Sequence, residues 1–253
     1  MKITGLVSEY STRFNPANKN RSENIRVAAE ALNNLLITPG EVFSFNAVVG
    51  PRSEDRGYKE AVVIEGGEMV AGVGGGVCQV SSTLYNAVLR AGLPIRERKH
   101  HSRMVGYVPA GLDATVAYGV IDLKFHNPSS GYLLLKTEVR PGYITVKIFG
   151  PVAELPQTSV HARVERVIPP PVITRRDSTL GPGASIVEEE GAQGVIVRVT
   201  RTVPQPDGSV KEELVSRDYY PAVPRVVRVG VGDSGMVKEE KREHQEDSED
   251  SSA

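Results

Sequence analysis

Apolar positions recur at helical spacing in two stretches of the chain and at strand spacing over most of its second half. In residues 22–36, Ile25, Ala28, Ala29, Leu32, Leu35 and Leu36 keep an i, i+3, i+4 rhythm, which predicts an amphipathic helix opened by Ser22 and stopped by Pro39-Gly40. Residues 77–91 carry a second stripe, Val77, Val80, Leu84 and Val88, with Gly92 and Pro94 as terminators. From about residue 114 the period shortens to two in TVAYGVIDLKF, YLLLKTEV and YITVKIFG, split by HNPSSG and RPG, and antiparallel strands are expected there. Farther on, GVIVRVTRTV and SVKEELVSRDYY flank Pro206-Asp207-Gly208 as the arms of a hairpin.

These elements predict an α+β fold over residues 1–152, with helices packed on a mostly antiparallel sheet, followed by a small elongated all-β module over residues 158–231. VAELPQTS between them reads as a linker. Residues 238–253 hold charged and polar side chains without an apolar position, so disorder is expected.

Composition narrows the functional classes. The chain has 253 residues, 40% of them hydrophobic and 24% charged, the balance of a folded globular protein. Thirty basic against 31 acidic side chains leave no overall field to attract nucleic acid or anionic lipid. No apolar run reaches bilayer length, and MKITGLVSEYSTRF lacks the basic and apolar segments of a signal peptide, so membrane attachment is expected only through an anchor absent from this chain. One cysteine forbids an internal disulfide and any all-cysteine metal site. Without tryptophan, aromatic platforms for sugars look sparse.

The lone thiol stands in the most informative stretch. In GVGGGVCQVSSTLY, Cys78 follows Gly74, Gly75 and Gly76 and falls in the first turn of the expected helix. Unpaired backbone N–H groups at a helix start favour the thiolate, which is the reactive form of cysteine. Those N–H groups, from Gly75 to Gln79, are also natural donors to an oxyanion formed when a carbonyl is attacked. A thiolate nucleophile needs an imidazole partner and a group that orients it. RERKHHSR supplies His100 and His101, and GLDATV supplies Asp113, with Asp122 and Glu97 as weaker carboxylates. Ser81 and Tyr85 on the same helix, with His100, complete the expected substrate-binding set.

Other readings compete for the same residues. A solitary cysteine is commonly an inert buried side chain, and the histidines belong to a run that also reads as a solvated basic patch with Arg96, Arg98, Lys99 and Arg103. The glycine turn lacks the Lys-Ser/Thr of a phosphate-binding loop. Cys78, one histidine and Asp113 have the ligand types of a zinc site but not the spacing of a compact one, and no metal is expected.

NRSENIRVAAEALN, PGEVFSFNAVVGPR, RGYKEAVVI, GGGVCQVSSTLYNAVLRAGL, ERKHHS and YVPAGLDATVAYGVIDLKF, in that order over about residues 8–150, together resemble the VanW family. The resemblance implies an extracellular, cell-wall setting in Gram-positive bacteria and, as in some members, a peptidoglycan L,D-transpeptidase that needs no metal or organic cofactor. Carried over by position, the nucleophile is Cys78, the base His101 and the orienting carboxylate Asp113. Ser81-Ser82-Thr83 stands where the family usually has serine-threonine-threonine. Residues 158–231 resemble a G-five domain, with its glycines among Gly181, Gly183, Gly191, Gly194 and Gly208, which implies adhesion to N-acetylglucosamine-containing glycan. The implied partners are peptidoglycan stem peptides and that glycan. A cysteine amidase or peptidase and a non-catalytic wall-binding protein remain open alternatives.

Overall fold

The computed structural model describes residues 2–65, 67–155, 157–205 and 207–231. In chain order the elements are β1 (Gly5–Arg13), α1 (Lys19–Leu32), β2 (Leu35–Ile37), β3 (Val42–Ser44), α2 (Phe45–Val49), β4 (Glu60–Glu65), β5 (Glu68–Val73), α3 (Val77–Arg90), β6 (Ile95–Glu97) and β7 (Lys124–His126). They continue with β8 (Leu133–Arg140), β9 (Tyr143–Gly150), β10 (Ser159–Ile168), β11 (Val172–Asp177), β12 (Ser185–Glu189), β13 (Gly194–Pro204), β14 (Val210–Tyr220) and β15 (Arg225–Gly230). Strands outnumber helices, the two long helices pack on an antiparallel sheet of order β1-β9-β8-β2, and the α+β expectation holds in that broad sense. Among the described residues no helix is long and apolar enough to cross a membrane.

The chain divides into two compact units. One joins residues up to Pro169 with Gln193–Ala222, so β10, β13 and β14 fall in the same unit as the helices. The other contains β11, β12 and β15, where β15 pairs parallel to β11 and antiparallel to β12.

The first helix begins earlier and ends sooner than its apolar spacing suggests. Asn18 caps it by accepting the Arg21 N–H at 3.2 Å, and Ile25, Ala28, Ala29 and Leu32 form its buried stripe. The chain leaves the helix at Asn33, and Asn34 takes a left-handed conformation (φ 61°), which asparagine tolerates better than most residues. Leu35 and Leu36, which look like another helical turn, instead form β2 against Leu135 and Leu134 of β8.

Helix α3 matches the expected span closely but is buried on nearly every side, not along one stripe. Its polar residues are therefore paired inward. Ser81 donates to the Ala114 carbonyl (2.7 Å), Ser82 accepts from the Ala114 N–H (2.9 Å), Asn86 donates to the Leu112 carbonyl (2.6 Å), and Thr83 meets Thr12 of β1 (2.8 Å). These bonds clamp the irregular segment 112–116 along the helix. The segment read as the linker is packed too: Leu155 is buried, and Thr158 hydrogen-bonds the Leu89 and Arg90 carbonyls that end α3.

TVAYGVIDLKF is mostly not strand. Only Lys124–His126 forms one, with single bridges pairing Lys99 with Thr115 and Ala117 with Ile121. Its alternating apolar residues run over a tight turn at Gly119, where the Val120 and Ile121 N–H groups both reach the Ala117 carbonyl. The hairpin β13–β14 forms where expected. The tail over residues 238–253 lies outside the described residues.

Candidate functional site

The glycine run exists because two neighbours press on it. A Cβ at Gly75 would lie 2.5 Å from the Val62 carbonyl oxygen of β4, and Gly76, the N-cap of α3, has φ 114° with Arg21 and Ile25 of α1 close by. Both positions need glycine on steric grounds. The turn thus enters α3 without a side-chain cap. Val77 and Gln79 N–H groups are occupied by the Gly74 and Gly76 carbonyls. Those of Gly75, Gly76 and Cys78 have no hydrogen-bond partner among the described residues.

Beside this turn is a cavity of about 570 Å³, lined by Val62, Val63 and Ile64 of the β4–β5 hairpin and by residues 115–118. Gly75, Gly76, Cys78, Gln79 and His101 line it, and so do Arg21, Arg52 and Tyr107. Protein atoms surround Cys78 densely, yet its residue retains accessible surface, and accessibility is what decides whether a reagent arrives. The sulfur also sits 3.5 Å from both the N–H and the carbonyl of Val116.

His101 is held by a buried carboxylate. Its Nδ1 lies 2.5 Å from Asp113 Oδ2, which also accepts the His101 backbone N–H at 2.7 Å. The remaining ring nitrogen, Nε2, is not engaged by the carboxylate, and His101 lines the cavity together with Cys78, the charged form of each favouring that of the other. Asp113 is nearly inaccessible, and its other oxygen, Oδ1, accepts from the Tyr220 hydroxyl and from Arg98 Nη2 at 3.2 Å. Arg98 is in turn paired with Asp218 at 2.6 Å.

The charges follow from these contacts. Burial pushes the Asp113 carboxyl up, but hydrogen bonds from His101, the Arg98 charge and the Tyr220 hydroxyl prevail and bring it to about 2. Burial likewise disfavours the His101 imidazolium, whereas Asp113 and then Cys78 favour it and raise its pKa to about 9. For Cys78 burial opposes ionisation; the hydrogen bond and charge of His101, the Val116 backbone and the Arg52 charge outweigh it, and the thiol lies below its ordinary value. Arg21 and Arg52 are themselves lowered by burial, with the Cys78 charge acting the other way. A thiolate–imidazolium pair oriented by a buried carboxylate is competent for nucleophilic attack on a carbonyl. Among the described residues no three His, Cys, Asp or Glu side chains converge as metal ligands.

The other sequence candidates stand apart. Ser81 and Tyr85 are buried in α3 away from the cavity, and the His100 ring packs on Tyr220 while its Nδ1 meets the His101 carbonyl at 2.7 Å. Gln79 reaches the cavity wall, but its carboxamide is committed: Nε2 donates to Thr12 and to the Arg13 carbonyl, and Oε1 accepts from Arg21 at 2.9 Å. Asp122 instead caps α2, accepting from Ser44 and the Asn46 N–H. Sequence reasoning missed Arg21, Arg52, Tyr107, Arg98 and Tyr220. For Tyr220, far along the chain, no local signal exists; for Arg98 the basic run disguised a buried ion pair.

The chain matches the model of the family described as VanW like protein over residues 20–149, and that of the G5 domain over residues 160–231. It is 47% identical over 146 residues to "Uncharacterized protein YoaR" of Bacillus subtilis (strain 168), covering 58% of this chain and 48% of that protein. It is 38% identical over 116 residues to "Vancomycin B-type resistance protein VanW" of Enterococcus faecalis, covering 43% of this chain and 42% of the relative. The chain therefore spans less than half the length of these relatives. Among solved structures it resembles the crystal structure of HP0197-G5 (26% identity, TM-score 0.20, covering 29% of this chain and 99% of the other). It also resembles the IgA1 protease G5 domain structure (24% identity, TM-score 0.23, covering 30% of this chain and 95% of the other).

Proposed function

Since the chain belongs to the VanW-like family, we propose that it is a cell-wall protein whose Cys78 forms peptidoglycan cross-links as an L,D-transpeptidase outside the cell. The observation that carries this reading is that the only thiol and His101, whose ring is held by the buried Asp113, line the same cavity. The Cys78 thiolate attacks a donor stem-peptide carbonyl, and the N–H groups of Gly75, Gly76 and Cys78 receive the oxyanion. On collapse, the His101 imidazolium gives its proton to the departing amine of the terminal D-amino acid, leaving a thioester. An acceptor amine then attacks the thioester; neutral His101 takes the amine proton, the new amide forms, and the thiolate departs beside the restored imidazolium. Asp113 stays ionised and holds the ring in the tautomer that presents Nε2 to sulfur.

The experiment is to incubate the protein and its Cys78→Ala variant with disaccharide tetrapeptide and follow products by mass spectrometry. Cross-linked dimer and released D-amino acid are expected from the first only. Equal dimer from both defeats the proposal, and free acid in place of dimer, with acceptor amine in excess, assigns the cysteine to hydrolysis instead. In this reading the G5 region contacts N-acetylglucosamine-containing glycan, which a pull-down on purified glycan strands tests.

A further inference from the structure

The match to the G5 domain covers residues 160–231, and a module of that kind, joined after the family region that ends at residue 149, reads as a tether. The structure carries a different consequence. Strand β14 ends with Tyr220, buried, whose hydroxyl donates to Asp113 Oδ1 and accepts the Gly111 N–H at 2.8 Å. Two residues earlier, Asp218 Oδ2 holds Arg98 Nη1 at 2.6 Å with both side chains almost fully buried. Arg98 also donates to the Asp113 carbonyl (2.7 Å), the Gly111 carbonyl (3.0 Å) and Asp113 Oδ1. Neighbouring β13 packs on the same loop: a Cβ at Gly111, which has φ 87°, would come within 2.6 Å of Val199.

From these contacts we infer that Tyr220 and Asp218 are positioning residues for Asp113, so that strands of the second family region complete the site built in the first. The inference rests on the proposed thiolate chemistry of Cys78. Asp113 has two oxygens with different tasks. Oδ2 receives both N–H groups of His101, whereas Oδ1 is held by Tyr220 on one side and by Arg98 at the longer distance. Without the phenol, Oδ1 has only Arg98, and the carboxylate turns toward that guanidinium and away from Nδ1. Asp218 limits this by keeping the guanidinium engaged elsewhere. The imidazolium then loses its principal support, and with it the thiolate loses its counter-charge.

The sign of the effect separates positioning from simple charge. A donor removed from a carboxylate leaves that carboxylate more basic, so with fixed geometry His101 would become a stronger imidazolium and Cys78 would ionise more easily. Positioning predicts the reverse. The test is the pH dependence of Cys78 alkylation by iodoacetamide in the full chain, its Tyr220→Phe variant and its Asp218→Asn variant, with thermal unfolding measured alongside. The unaltered chain is expected to label readily below neutrality. Tyr220→Phe is expected to move the acid limb upward by about one pH unit, so that labelling near pH 6 slows roughly tenfold, the size expected for one lost hydrogen bond to a charged group. Asp218→Asn, which does not touch Asp113, is expected to move it in the same direction by less. If Tyr220→Phe melts too early to measure, the Asp218→Asn profile alone decides. Limbs that coincide with the unaltered chain, or move down, overturn the inference while leaving the activated thiol intact. Slow labelling of the unaltered chain at every pH overturns both.

Discussion

Replacing Asp113 with asparagine removes one charge from a position that holds it with the His101 backbone N–H, the His101 ring, Arg98 and the Tyr220 hydroxyl. An asparagine amide keeps one oxygen and turns an NH2 toward donors on the other side, so at least one of these groups loses its acceptor. The carboxyl titrates at about 2 in the fold against an ordinary value of 3.8. A depressed folded pKa means stabilisation present above the unfolded value and lost as pH falls through the folded one. The difference corresponds to about 2 kcal/mol above pH 5, falling to about half of that near pH 3. Asp113→Asn is therefore expected to lower the unfolding free energy by about 2 to 4 kcal/mol at pH 7, the upper part reflecting the mismatched donors. Urea unfolding of both proteins at pH 7, 5, 3 and 2.5 measures this. The gap between them narrows on the acid side because only the parent has a carboxylate to protonate. A gap that is constant from pH 7 to pH 2.5, or no gap at pH 7, refutes the assignment of Asp113 as a buried anion held by these donors.

Removing the imidazole leaves burial as the main influence on the sulfur, so His101→Gln is expected to raise the Cys78 pKa above its ordinary value and to slow iodoacetamide labelling at pH 6 at least roughly tenfold; labelling as fast as in the parent contradicts the pairing. Gly75→Ala places a methyl 2.5 Å from the Val62 carbonyl oxygen and is expected to destabilise by about 1 to 3 kcal/mol, read as an earlier thermal transition. Asn127, fully buried, donates to the Ile37, Thr38 and Gly131 carbonyls and accepts from Ser129; Asn127→Ala is expected to cost about 2 to 4 kcal/mol in urea unfolding, and a loss under about 1 kcal/mol speaks against that network.

The elements that were legible in the sequence are those whose signals are local. Gly92 stops α3 close to where it was expected to end, and the glycine run leads into the first turn of that helix as its sequence position indicated. The end of α1 was not legible, because Leu35 and Leu36 continue a helical rhythm and only Asn34's left-handed turn breaks it. Val116, Tyr118 and Val120 alternate like a strand but serve a loop beside the cavity, where backbone groups are satisfied by turns and by Asn46. Cys78, His101 and Asp113 could be nominated because helix starts, imidazoles and carboxylates have recognisable chemistry. Arg98 could not: its neighbours in sequence are charged and its partners, Asp113 and Asp218, come from other parts of the chain.

Because α3 is enclosed on almost all sides, every residue from Val77 to Leu89 except Cys78 is buried among neighbours that it must fit. A recognisable GGGVCQVSSTLYNAV stretch is thus dictated mostly by the scaffold, and a relative could retain the rest of it while lacking the sulfur. Such a protein would keep the architecture with no reactivity, and inspecting the one position of the helix that keeps accessible surface is what tells the two apart.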